Sequence, residues 1–224
     1  CGVIGVVSAC VQLVGVWCFV FFLMVRRPPG STQSRSSAAS DVYKRQMYII
    51  NEHENKIEKV QQKTFHELGF RERENLQEWI ANNPECLGED LLIIQKEFNG
   101  FNDTNERLDL LALDKQGNLV VIENKLDDSG KDVVWQVLKY VSYCSSLTKQ
   151  NIVDIYQQYL NKNGKKENAE ENITEFYQNT ELSELKLNQG SSQRIILIAA
   201  NFRKEVTSTI LWLLNYKIRA QCFK

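Results

Sequence analysis

Three residues of this chain have the types and spacing of a divalent-cation site: Asp109, Glu123 and Lys125. Asp109 interrupts an otherwise apolar run of strand length, RLDLLALD (107–114). A buried carboxylate without a partner costs several kcal/mol, so this position calls for a cation or a hydrogen-bond donor. Glu123 and Lys125 close a second apolar run, NLVVIENK (118–125). Side chains alternate along a strand, so Glu123 and Lys125 project from one face and Asn124 from the other. Two carboxylates converging without a histidine suit a hard, oxygen-seeking ion such as Mg²⁺ or Mn²⁺. The lysine can offset their repulsion, hold a phosphate oxygen or position a water. The plainer alternative is an ion pair of Asp109 with Lys125 across a hairpin, with Glu123 facing solvent.

The elements that must position these residues are readable in the pattern. Lys115-Gln116-Gly117 joins the two runs as a hairpin turn that sets the strands side by side, an arrangement that can place Asp109 near Glu123. Upstream, RERENLQEWIANNP places Leu76, Trp79 and Ile80 at helical spacing with Pro84 as a stop, and LLIIQKEF (91–98) has strand length. Downstream, residues 132–147 predict a helix whose apolar stripe is Val133, Val134, Val137, Leu138, Val141 and Cys144. Residues 150–190 are polar and helical in pieces, RIILIAA (194–200) is a strand, 204–215 a helix and 217–223 a strand. Trp79 and Trp135 are expected as core or half-buried anchors. This order predicts an α/β fold, a central mixed sheet with helices on both faces. The chain ends inside its last strand, which suggests truncation at the C-terminus.

Composition excludes more than it assigns. Of 224 residues, 43% are hydrophobic and 25% charged, which fits a globular domain and not a disordered or fibrous chain. Two histidines leave little room for His-rich metal sites or a His-based nucleophile relay; both, His53 and His66, are expected at the surface. Residues 2–25 carry no charge and precede Arg26-Arg27, so length and flanks alone make them a transmembrane candidate. The stretch from about Phe19 to Gln46, ending DVYKRQ, instead resembles translated sequencing-adapter read-through, with the natural protein starting at Met47. The expected organisation is a non-native segment over 1–46, or an anchor there, a lead-in over 47–70 and the domain over 71–224. Residues 1–46 hold five basic residues and one acid, leaving the rest at −5 within a total of −1. Cys86, Cys144 and Cys222 then remain, odd in number and widely spaced, as in a reduced cytoplasmic protein.

Asp109 on one strand and Glu123-x-Lys125 on the next resemble the PD-(D/E)xK nuclease superfamily. Gln136 and Tyr140 match the Q-x-x-x-Y that many members carry on the following helix, and their i, i+4 spacing sets them on one side of it. The opening helix is similar to that of the RecB-like and NucS-type branch, in which an acid at the helix start approaches the metal; Glu74 is the match. The resemblance implies a restriction-endonuclease-like α/β/α sandwich around a mixed β-sheet. It implies Mg²⁺-dependent (or Mn²⁺-dependent) endonuclease-like hydrolysis of nucleic acid, DNA rather than RNA. Asp109 and Glu123 would hold the metal, and Lys125, Gln136, Tyr140 and Glu74 would complete the site. Two features depart from the family: Asn124 stands where an apolar residue is usual, and Arg107-Leu108 replaces the usual Pro before the Asp. The alternative is a non-catalytic nucleic-acid-binding module that kept the fold. A homodimer and a further domain beyond Lys224 stay open.

Overall fold

The computed structural model describes residues 6–13, 16–23, 46–51, 54–59, 61, 63–100 and 107–224. They divide into two units, Cys1–Lys63 and Thr64–Lys224. In the first unit, β1 (Val6–Leu13), β2 (Val16–Leu23), β3 (Gln46–Asn51) and β4 (Lys56–Lys59) pair antiparallel in chain order. The apolar run at 2–25 therefore contributes two strands where a single spanning helix was a candidate, and the lead-in over 47–70 holds two more. No helix among the described residues is long and apolar enough to cross a membrane. Most of the adapter-like stretch, residues 24–45, lies outside the described residues, as does His53; His66 is exposed.

The second unit is an α/β fold on a five-stranded mixed sheet. Its strands are β5 (Leu91–Phe98), β6 (Leu108–Asp114), β7 (Leu119–Asp128), β8 (Arg194–Asn201) and β9 (Arg219–Phe223), adjacent in that order. The first three are antiparallel and the last two join in parallel. The hairpin turn needs Gly117, which sits at φ 82° and where an added Cβ would collide with the Lys186 carbonyl. The turn Glu72–Leu76 and the short α1 (Gln77–Asn82) that continues it pack Leu76 and Ile80 on one face of the sheet, against Leu110, Ala112, Val120, Ile122 and Ile196. The opposite face carries α2 (Val133–Cys144), α3 (Lys149–Lys162), α4 (Ala169–Phe176) and α5 (Lys204–Asn215), over Leu111, Leu113, Val121, Ile195 and Leu197. Helices on both faces are thus as the pattern predicts, but the cover is thick on one side and thin on the other. Trp135 is 66% exposed and belongs to no core; Trp79 is partly exposed and stacks edge-on with Phe65 and Phe70. The last strand starts at Arg219 because Lys217, at φ 62°, ends the α5 turn first.

At the hairpin end of the sheet a buried guanidinium ties four elements together. Arg194 donates from Nη1 to Glu89 Oε2 (2.7 Å) and Asp114 Oδ2 (2.9 Å), and from Nη2 to Glu89 Oε1 (2.6 Å) and Gln221 Oε1 (2.6 Å). Asp114, fully buried, also accepts the main-chain N–H groups of Gln116 and Asn118 and so fixes the turn. This network lies at the end of the sheet away from Asp109, Glu123 and Lys125.

Candidate metal centre

Registered pairing between β6 and β7 stops at Leu110↔Ile122. One step further the strands part, and the Asp109 side chain takes the place of a ladder carbonyl. Its Oδ2 accepts the main-chain N–H of Asn124 at 2.8 Å. The Asp109 carbonyl in turn accepts from the buried side chain of Gln77 at 2.9 Å, so α1 grips the Asp109 backbone. Glu123, on the facing strand, is 1% exposed; Oε1 accepts from Lys125 Nζ at 2.9 Å and Oε2 is buried without a hydrogen bond. Asp109, Glu123 and Lys125 therefore meet at the fork between two strands, on the scaffold the hairpin supplies.

Glu74 does not join them. It is exposed and pairs with Arg71 at 2.9 Å. The acid that does is Glu72, whose Oε1 lies 3.6 Å from Lys125 Nζ and whose Oε2 accepts the Leu126 N–H at 2.9 Å. The reason is register. Glu72 leads Leu76 and Ile80 at i, i+4, i+8, on the stripe that faces the sheet, whereas Glu74 is about 200° round the helix and faces solvent. The turn Glu72–Leu76 is a π-type turn, a wide form that recurs at functional sites. The same spacing argument, applied to the sequence, selects Glu72. Glu97, at the end of β5, is a second acid the motif did not contain; its charge reaches Asp109.

Gln136 and Tyr140 do pair with each other, Nε2 to the phenol oxygen at 2.9 Å. The Tyr140 hydroxyl then donates to the Arg107 carbonyl at 2.9 Å, two residues before Asp109. Their contacts thus clamp the start of β6, and act on Asp109 through the backbone. Asn124, fully buried, has neither amide atom hydrogen-bonded, which is the unmet demand its place in an apolar layer implies.

Electrostatics mark the same spot. Burial, above all, pushes the Asp109 carboxyl up to about 6, with the Asn124 N–H and Lys125 pulling it down and Glu72 and Glu97 adding to the rise. Burial and then the Asp109 charge push Glu123 up to about 7 against the pull of Lys125. For Lys125, burial pulls the ammonium's pKa down, but Glu123, Asp109 and Glu72 outweigh it and the net shift is upward. Two carboxylates are held beside each other at a cost the protein's own groups do not fully offset. Among the described residues, no three His, Cys, Asp or Glu side chains are gathered closely enough to ligate an ion by themselves. Asp109 and Glu123 would offer two hard oxygen ligands, the number Mg²⁺ commonly takes from protein while keeping water for the rest. The donor set fits a magnesium-class ion and is unsuited to zinc.

No protein-family profile matches the chain, and no curated protein does. Two solved structures are similar at low identity. EndoMS in its dsDNA2 complex is 15% identical over 93% of this chain and 76% of that one, with a TM-score of 0.40. A repair endonuclease from Pyrococcus abyssi is 14% identical over 98% and 87%, with a TM-score of 0.34.

Proposed function

We propose that this protein is a Mg²⁺-dependent (or Mn²⁺-dependent) nuclease of the restriction-endonuclease-like class, cleaving phosphodiester bonds in nucleic acid, DNA rather than RNA. The observation that carries the reading is the buried, unpartnered Glu123 oxygen beside Asp109 at the strand fork, flanked by the Lys125 ammonium. Asp109 and Glu123 would hold the ion. A bound divalent cation there would polarise the scissile phosphate and lower the pKa of an attacking water. Lys125, charged and donating to Glu123, would stabilise negative charge that builds on the phosphate and orient the water. Glu72 holds Lys125 and the Leu126 backbone in place, while Gln77 and Tyr140 fix the backbone on either side of Asp109. The unpaired thiols Cys86, Cys144 and Cys222 support a reducing, cytoplasmic setting.

The second reading, a binding module without cleavage, draws on the acidic balance of residues 47–224. Metal separates the two. Purified protein incubated with single- and double-stranded DNA and RNA should cleave in Mg²⁺ and stop in EDTA. Asp109→Asn and Lys125→Ala should each lower the rate by about a thousandfold or more, several kcal/mol of transition-state stabilisation. Binding that is equal in Mg²⁺ and EDTA, with no cleavage of any substrate, selects the binding module instead.

A further inference from the structure

Two arginines at the edge of the acid cluster have no part in the chemistry above. Arg73 follows Glu72 in the π-type turn, and Arg107 immediately precedes β6. Both reach Glu97: Arg73 Nε lies 3.3 Å from Oε1 and Arg107 Nη1 3.8 Å from Oε2. Neither contact is aligned as a hydrogen bond, and both Glu97 oxygens are buried without one. Each guanidinium commits one nitrogen to a long contact, while the side chains stay 65% and 52% exposed. Among the described residues, neither guanidinium has a second carboxylate partner.

Glu97 reaches this position at φ 50°, a left-handed conformation that a non-glycine residue rarely holds without cause. Arg107 is also fixed in its backbone, since the Gln136–Tyr140 pair closes on its carbonyl. Charge gives the arrangement a purpose. Around the fork, the carboxylates of Glu72, Glu97, Asp109 and Glu123 face Lys125, Arg73 and Arg107, four acids against three cations. A polyanion approaching such a site needs a cationic guide besides the metal.

We propose that Arg73 and Arg107 clamp a backbone phosphate of nucleic acid beside the carboxylate centre, with Glu97 as the anion that holds both guanidiniums until the phosphate replaces it. A carboxylate and a phosphate offer the arginine fork the same pair of acceptor oxygens, so one can stand in for the other. The proposal rests on the nucleic-acid reading above and adds the residues that meet the substrate backbone. Phosphate contacts position a substrate without reading its sequence, so the clamp is indifferent to base identity.

The test is equilibrium binding of a short fluorescein-labelled duplex, and of its single strand, in EDTA across a salt series. Each lost phosphate contact lowers the slope of log K against log salt by about 0.9 on duplex and about 0.7 on a single strand. Arg73→Gln/Arg107→Gln should flatten the duplex slope by about 1.8 and weaken binding roughly thirtyfold near 0.15 M salt. Glu97→Gln should tighten binding by freeing the guanidiniums. Circular dichroism should show every variant folded at the binding temperature, so that a changed slope reads the phosphate contacts. An unchanged slope in the double variant overturns the clamp, and weaker binding by Glu97→Gln overturns the placeholder role. Inorganic phosphate that displaces the duplex at equal phosphate concentration marks a free-phosphate site and overturns the backbone assignment. A parent protein that binds neither probe defeats the nucleic-acid reading itself, whereas a parent that binds with a slope the double variant leaves untouched removes the clamp alone.

Discussion

Glu123→Gln should abolish cleavage and at the same time make the metal-free protein more stable. The first effect follows from losing one of the two proposed oxygen ligands, with a rate loss of about a thousandfold or more. The second follows from burial. A carboxyl raised to about 7 in the folded protein is charged at a cost above that pH, because its ordinary value is 4.5. Between those values the folded state binds more protons than the unfolded one, so stability falls as pH rises from about 4.5 to about 7. Asp109 contributes in the same direction, up to its own value of about 6. Glutamine carries no such charge, so the variant should gain on the order of 2 kcal/mol at pH 8 and little at pH 5. In EDTA that gain reads as a melting temperature higher by roughly 4–8 °C at pH 8. A variant that melts lower than the parent at pH 8 would show Glu123 to be a structural partner of Lys125.

Arg194→Leu should have the opposite character, a large loss of stability with the chemistry intact. The substitution strands the fully buried Asp114 and half-buried Glu89 carboxylates, and breaking a buried pair in this way costs about 3–5 kcal/mol. The melting temperature should drop by roughly 10 °C or more. Because the network sits at the opposite end of the sheet from Asp109, cleavage measured well below the melting point should match the parent. A melting temperature within a degree of the parent's would mean that Asp114 is held by Asn118 and the turn alone.

The two largest effects thus separate what the sheet does at its two ends, and that separation was only half legible in the sequence. Asp109, Glu123 and Lys125 could be placed because a hairpin imposes its own register: one short turn and strict alternation bring the three together. Gln136 and Tyr140 enter through their match to the Q-x-x-x-Y pattern of the family the sequence resembles, but their target does not, since only the fold shows that the Tyr140 hydroxyl ends on the Arg107 carbonyl. Glu74 enters only as the match to the family's acid at the helix start, whereas Glu72, in helical register with Leu76 and Ile80, is the acid the fold brings to Lys125. Glu97 left no local signal, because its part depends on where β5 ends relative to β6 and on a backbone turn at that single residue. Arg194 and its carboxylates lie 105 and 80 residues apart, and no periodicity links positions so distant. Trp135 was expected near the core on residue type alone; its place on the outer face of α2 overrides that preference.

Whether Asp109 and Glu123 together bind one divalent ion is decided by calorimetric titration of the parent protein with Mn²⁺ at neutral pH. A single binding event is expected, which both Asp109→Asn and Glu123→Gln remove, with each variant still folded by circular dichroism. Mn²⁺ binding that survives undiminished in both variants, or that is absent from a parent protein which nevertheless cleaves nucleic acid, would contradict it.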